Sequence, residues 1–183
     1  MRVASMLRFI LFGAVGFGAG VFVGIEISVS TLWIGMLLGP LVAGAVGGAA
    51  LGLASQDRRR VVVLALLGAV GLTVGIIAGL VVGSFFNYGW PTGAVVGAIV
   101  GGSLGVAFRD WRTIVALVIV GAVGCGVGYW LGHFVRATIP ILSQIREVGS
   151  ITITGAFFGA LLGAALGYLE SRNSASERRP RVR

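Results

Sequence analysis

Few side chains in this sequence have the chemistry to act on a substrate. Cys125 is the only cysteine and His133 the only histidine. If both lie on one helix they stand about 12 Å apart along its axis, beyond the hydrogen-bond reach that a nucleophile and its base require. One cysteine and one histidine cannot assemble a zinc site, and a lone cysteine closes no intramolecular disulfide. The spacing therefore predicts no catalytic residue, no cofactor and no metal, and leans away from an enzyme. Cys125 reads as a small packing residue and His133 as an interfacial side chain.

The carboxylates show more order. Asp57-Arg58-Arg59, Asp110-Trp111-Arg112 and Glu170-Ser171-Arg172 each place an acid two positions before an arginine, at the end of an apolar run. Local ion pairs in the headgroup zone are expected from them: Asp57 with Arg59, Asp110 with Arg112, and Glu170 with Arg172. The functional version is a cytoplasmic gate of three such pairs around a central axis. No carboxylate falls in the middle of an apolar run, which excludes the proton-carrying chemistry of rotor-ring subunits. There is no lysine, so a retinal Schiff base is excluded too.

These residues must be positioned by membrane-spanning helices. Of the 183 residues, 57% are hydrophobic and only 11% charged, with a mean hydropathy of +1.02, whereas a soluble domain carries about 25% charged residues. A helix needs about 20 mostly apolar residues to cross the hydrocarbon layer, and six stretches meet that need, near 8–26, 32–55, 61–86, 91–108, 113–134 and 150–169. The first has a signal-peptide-like arginine flank, but no A-x-A site follows it, so it is counted as a span.

The net charge of +8 resembles a nucleic-acid signature until the arginines are placed. Arg2 and Arg8, Arg58 to Arg60, Arg109 and Arg112, and Arg172, Arg178, Arg179, Arg181 and Arg183 all fall on one side of a six-span layout. Only Arg136 and Arg146 fall on the other. The positive-inside rule then puts both termini in the cytoplasm, most simply in a prokaryotic cytoplasmic membrane, with no nucleic-acid partner. The segment 172–183 reads as a basic disordered tail, an anchor able to meet anionic lipid headgroups. Trp33, Tyr88, Trp90 and Trp130 sit near span ends, where amphipathic rings favour the interface. In the longest loop, Ile139, Leu142, Ile145 and Val148 recur at three-residue intervals, which suits a short interfacial helix.

The odd-numbered spans share a tetrapeptide, Gly13-Ala14-Val15-Gly16, Gly68-Ala69-Val70-Gly71 and Gly121-Ala122-Val123-Gly124. Glycines continue at four-residue steps through Gly71, Gly75 and Gly79 and through Gly124, Gly128 and Gly132. The even spans carry Gly44, Gly48 and Gly52, then Gly93, Gly97, Gly101 and Gly105, then Gly155, Gly159, Gly163 and Gly167. A period of about 55 residues with two spans per unit reads as three repeated helical hairpins, near 8–55, 61–108 and 113–170. Because each unit crosses twice, the copies share one orientation, and a pseudo-threefold axis would run along the membrane normal. The Pro-x-acid-x-x-basic motifs of three-hairpin mitochondrial carriers are missing from the odd spans.

Residues four apart stack on one helix face, so each glycine series is a bare strip. In lipid the segment stays helical whatever its glycine content, and the strip lets neighbouring backbones approach. The fold class expected is an all-α integral membrane protein of six spans with glycine-zipper packing, in one transmembrane domain, 1–171. The polar side chains near spans are few: Thr73, Ser84, Asn87, Ser103, Thr113, Thr152 and Thr154. That shortage favours an accessory subunit packed against other spans, with a membrane-protein partner or a second copy of itself. The alternative is a transporter or channel for a small neutral or apolar species, its path along the axis.

Overall fold

The computed structural model describes residues 2–30, 32–86, 89–138 and 146–177. Among them are six helices: α1 (Arg2–Ser30), α2 (Leu32–Ala54), α3 (Arg58–Phe86), α4 (Trp90–Val106), α5 (Trp111–Thr138) and α6 (Arg146–Glu177). Five of these are long and apolar enough to cross a membrane, while α4 is a shorter apolar helix. This architecture is that of a multi-pass helical membrane protein. The expected interfacial repeat at Ile139, Leu142 and Ile145, the ring of Tyr88, and the tail arginines from Arg178 onward lie outside the described residues. The segment expected to be a tail from residue 172 begins inside α6, which continues to Glu177.

Two connections at the arginine-rich end, here called the basic end, are built alike. After α2, Gln56 turns the chain at φ 59°, and after α4, Arg109 does so at φ 53°. Each is followed by an aspartate that caps the next helix. Asp57 Oδ1 accepts the Arg59 backbone N–H at 3.0 Å. Asp110 accepts the backbone N–H groups of Arg112 at 3.3 Å and Thr113 at 3.2 Å, and the Thr113 hydroxyl at 2.9 Å. A helix leaves its first N–H groups without internal partners, and a carboxylate one residue before the helix satisfies them. The first two acid-x-Arg triplets are thus cap signals, in which the arginine contributes its backbone.

The helices close into a ring. Each packs on its neighbours in sequence, and α6 returns to α1, so α3 and α6 stand on opposite sides. Large apolar residues such as Leu11, Val15, Leu66, Val81, Ile119 and Val123 face outward. The buried cluster, including Phe17, Leu64, Leu104, Leu117 and Leu162, fills the interior. Hydrophobic side chains on both faces are what a bilayer-embedded bundle needs, because lipid rewards an apolar exterior as water does not.

Candidate functional site

The ring surrounds a cavity of about 260 Å³ to which all six helices contribute, through Phe17, Ala43, Leu72, Val96, Cys125 and Phe158 among others. Other lining residues, Ser28, Gly39, Tyr129 and Ile151, place it in the half of the ring away from the basic end. Phe17 and Phe158 meet edge to face there, with ring centroids 5.2 Å apart. The few polar groups in the wall are largely turned to the chain itself. Ser28 Oγ donates to the Gly24 and Gly35 carbonyls, both at 2.9 Å. Thr154 Oγ1 donates to the Gly128 carbonyl at 2.9 Å and the Ser150 carbonyl at 3.0 Å. Thr92 Oγ1 is buried with no partner among the described residues.

Toward the basic end the axis is solid. Phe9, Leu51, Leu64, Leu104, Leu117 and Leu166, one from each helix, are between 0% and 3% exposed. These side chains belong to one buried cluster and occupy the ring below the cavity as an apolar plug.

The helices of the wall come close at their glycines. A Cβ added at Gly44, Gly48 or Gly52 of α2 would collide with Gly68, Leu64 or Val61 of α3. The corresponding clashes at α4 and α5 are Gly97 with Gly121, Gly101 with Leu117, and Gly105 with Ile114. At α6 and α1 they are Gly159 with Gly13 and Gly163 with Phe9, while a Cβ at Gly167 would sit tightly, 3.0 Å from Met6 Cα. The remaining glycines of the expected strips also face neighbouring helices. Gly71 meets Ser103, Gly75 and Gly79 meet Val96, Gly93 meets Cys125, and Gly155 meets Val21. Gly124 meets Leu161, Gly128 meets Thr154, and Gly132 meets Ser150. Ser103 Oγ, which also donates to Val100 O at 2.8 Å, crosses from α4 to the Leu67 carbonyl of α3 at 3.1 Å.

The charged residues gather on Arg60 at the basic end. Arg60 Nε lies 3.4 Å from Asp57 Oδ2, its Nη1 lies 3.6 Å from Glu170 Oε1, and its guanidinium carbon is 5.9 Å from the centre of the Phe108 ring. Arg60 was not among the residues singled out from the triplets; it stands one position beyond the first of them. Arg172 is exposed. The Thr113 hydroxyl, with the N–H groups of Arg112 and Thr113, holds the Asp110 carboxyl below its ordinary 3.8. Cys125 lines the cavity, while His133, on the same helix, is exposed and meets the Tyr129 ring at 5.0 Å.

The cavity and its plug escaped sequence reasoning, although a signal was present. Phe9, Leu64 and Leu117 stand at one fixed offset before the shared Gly-Ala-Val-Gly tetrapeptides, and Leu51, Leu104 and Leu166 at one fixed offset after Gly44, Gly97 and Gly159. Comparison with known protein families, characterised proteins and solved structures finds no match to this chain.

Proposed function

We propose that this integral membrane protein takes up a small neutral or apolar molecule into its axial cavity. The observation that carries the reading is the chemistry of the wall: six helices converge on it, and most of its polar groups already hold bonds within the chain. An apolar cavity of about 150 Å³ stays dry and takes a molecule the size of benzene. At about 260 Å³ the cavity here accommodates a larger hydrocarbon body, close to the lower end of ligand pockets, about 300 Å³. No charged side chain is among the described residues that line the cavity, so a charged solute would lack a partner there.

In this reading the scaffold is a set of three repeated hairpins about a pseudo-threefold axis, joined by glycine-zipper contacts. Support comes from the recurrence of the same three close glycine contacts, at the same offsets, where α2 meets α3, α4 meets α5 and α6 meets α1. The arginine distribution supports a cytoplasmic basic end, with anionic headgroups as its lipid partners. An accessory subunit would use glycine strips to seat other spans. The strips here face helices of the same chain, which favours the cavity reading over that one.

Photolabelling with 3-azioctanol, a small amphiphile with a photoreactive diazirine, tests uptake in lipid nanodiscs. Labels should map to cavity residues such as Tyr129 and Phe158, saturate with dose and be displaced by 1-octanol. Labelling confined to outward-facing residues, or failing to saturate, would overturn the reading.

A further inference from the structure

The geometry points to the Arg60–Glu170 pair as a lock that holds the basic end of the axis shut. This inference rests on the proposed uptake into the axial cavity, since a lock matters only if something occupies the axis. The two helices involved, α3 and α6, stand opposite each other in the ring, so a side chain bridging them at 3.6 Å crosses the axis. It does so beyond the plug, on the arginine side.

The positions that meet there make the point sharper. Counted from the glycine contacts between helices, Arg60 of α3 corresponds to Ser5 of α1 and Thr113 of α5. Glu170 of α6 corresponds to Ser55 after α2 and Phe108 after α4. Three copies of one hairpin would by default carry one residue type three times at such a level. Instead three of the six positions hold hydroxyl residues and the other three a cation, an anion and an aromatic ring, and Arg60 touches both of the others. Like charges repeated around an axis would repel, whereas this set attracts across it. Asp57 steadies Arg60 from the cap of its helix at 3.4 Å, and Glu170 also lies in the field of Arg8 of α1.

The lock is a bias added to the apolar plug. With the Arg60 and Glu170 side chains 47% and 38% exposed, solvent screens the pair, and exposed ion pairs of this kind shift an equilibrium about two- to five-fold. Salt at about 1 M shortens the screening length to about 3 Å and should remove most of that shift.

The test uses the full chain in sealed inside-out vesicles, with Cys125→Ser to remove the native thiol and Ala54→Cys as reporter. Ala54 is fully buried in the core cluster at the basic end of α2. A membrane-impermeant methanethiosulfonate should modify position 54 slowly at low salt and about two- to five-fold faster at 1 M salt. Adding Glu170→Gln should give the faster rate at low salt and abolish the salt dependence. An unchanged rate in Glu170→Gln, or a salt dependence that persists in it, overturns the lock. The salt response of the chain that keeps Arg60 and Glu170 serves as the readout if the Gln variant fails to fold; a flat response also overturns the lock. Photolabelling of the same samples separates the two ideas. Labelled cavities with unchanged thiol rates remove the lock alone, and unlabelled cavities with salt-sensitive rates remove uptake alone.

Discussion

Replacing Gly97 by alanine adds one methyl group where α4 and α5 touch through their backbones. The new Cβ would overlap the Gly121 carbonyl and lie 2.6 Å from Cys125 Cβ. Neither obstacle is the end of a flexible side chain, so relief requires the helices to separate. A gap of about 0.5–1 Å forfeits a quarter to a half of each contact's dispersion energy, and overpacking of this kind costs about 1–3 kcal/mol. The control is Gly126→Ala on α5, where the nearest atom to an added Cβ is Ala94 Cβ at 3.7 Å. That distance is ordinary packing, and the helix-propensity difference between glycine and alanine is small inside a bilayer. Reversible unfolding in mixed micelles, titrated with sodium dodecyl sulfate, should show Gly97→Ala destabilised by about 1–3 kcal/mol and Gly126→Ala near the unsubstituted protein. Gly44→Ala and Gly159→Ala should fall in the same range as Gly97→Ala, since their clashes with Gly68 and Gly13 are of the same kind. Equal stability of Gly97→Ala and Gly126→Ala would refute the claim that backbone contact at these glycines holds the ring.

Asp110 is bonded by the Thr113 hydroxyl and two backbone N–H groups as a carboxylate, which lowers its titration below the ordinary 3.8. A lowered folded value means that the stabilisation is present above about pH 4 and is lost as pH falls below it. Melting curves against pH should therefore show a smaller acid-side loss in Asp110→Ala than in the unsubstituted protein, and identical acid profiles would contradict the cap. Gln56 holds φ 59°, a left-handed conformation that costs an L-residue about 1–2 kcal/mol, so Gln56→Gly should raise stability by about 1 kcal/mol; a loss on the same titration would argue against that turn. Thr92→Val removes a buried hydroxyl that has no partner among the described residues and should also stabilise, by about 1 kcal/mol, whereas destabilisation would mean that the hydroxyl is bonded.

The apolar, many-helix character was legible because a 30 Å hydrocarbon layer imposes a length and a composition that few soluble helices share. The α4 boundary was harder to read: Pro91 and the turn at Arg109 confine it to Trp90–Val106. Glycine spacing was informative because a missing side chain has the same meaning wherever it is placed, namely that something else comes close. The acid-x-Arg triplets suggest ion pairs, and Asp57 and Asp110 also cap helices; one local pattern serves both purposes, and only the start of the next helix reveals the cap. Arg60 was illegible for a different reason. Its partner Glu170 lies far along the chain, and the pair exists only because the ring brings α3 and α6 to face each other. The cavity likewise depends on what six separate helices leave unfilled, a property of their closure that no single segment records.

Xenon tests the axial cavity most directly, because it enters dry apolar space and needs no hydrogen bond. Diffraction from crystals pressurised with xenon should show a bound atom among Phe17, Leu72, Val96, Cys125 and Phe158, and none within the leucine plug. Ordered water at that position, or side chains collapsed across it with no xenon bound, would contradict the account.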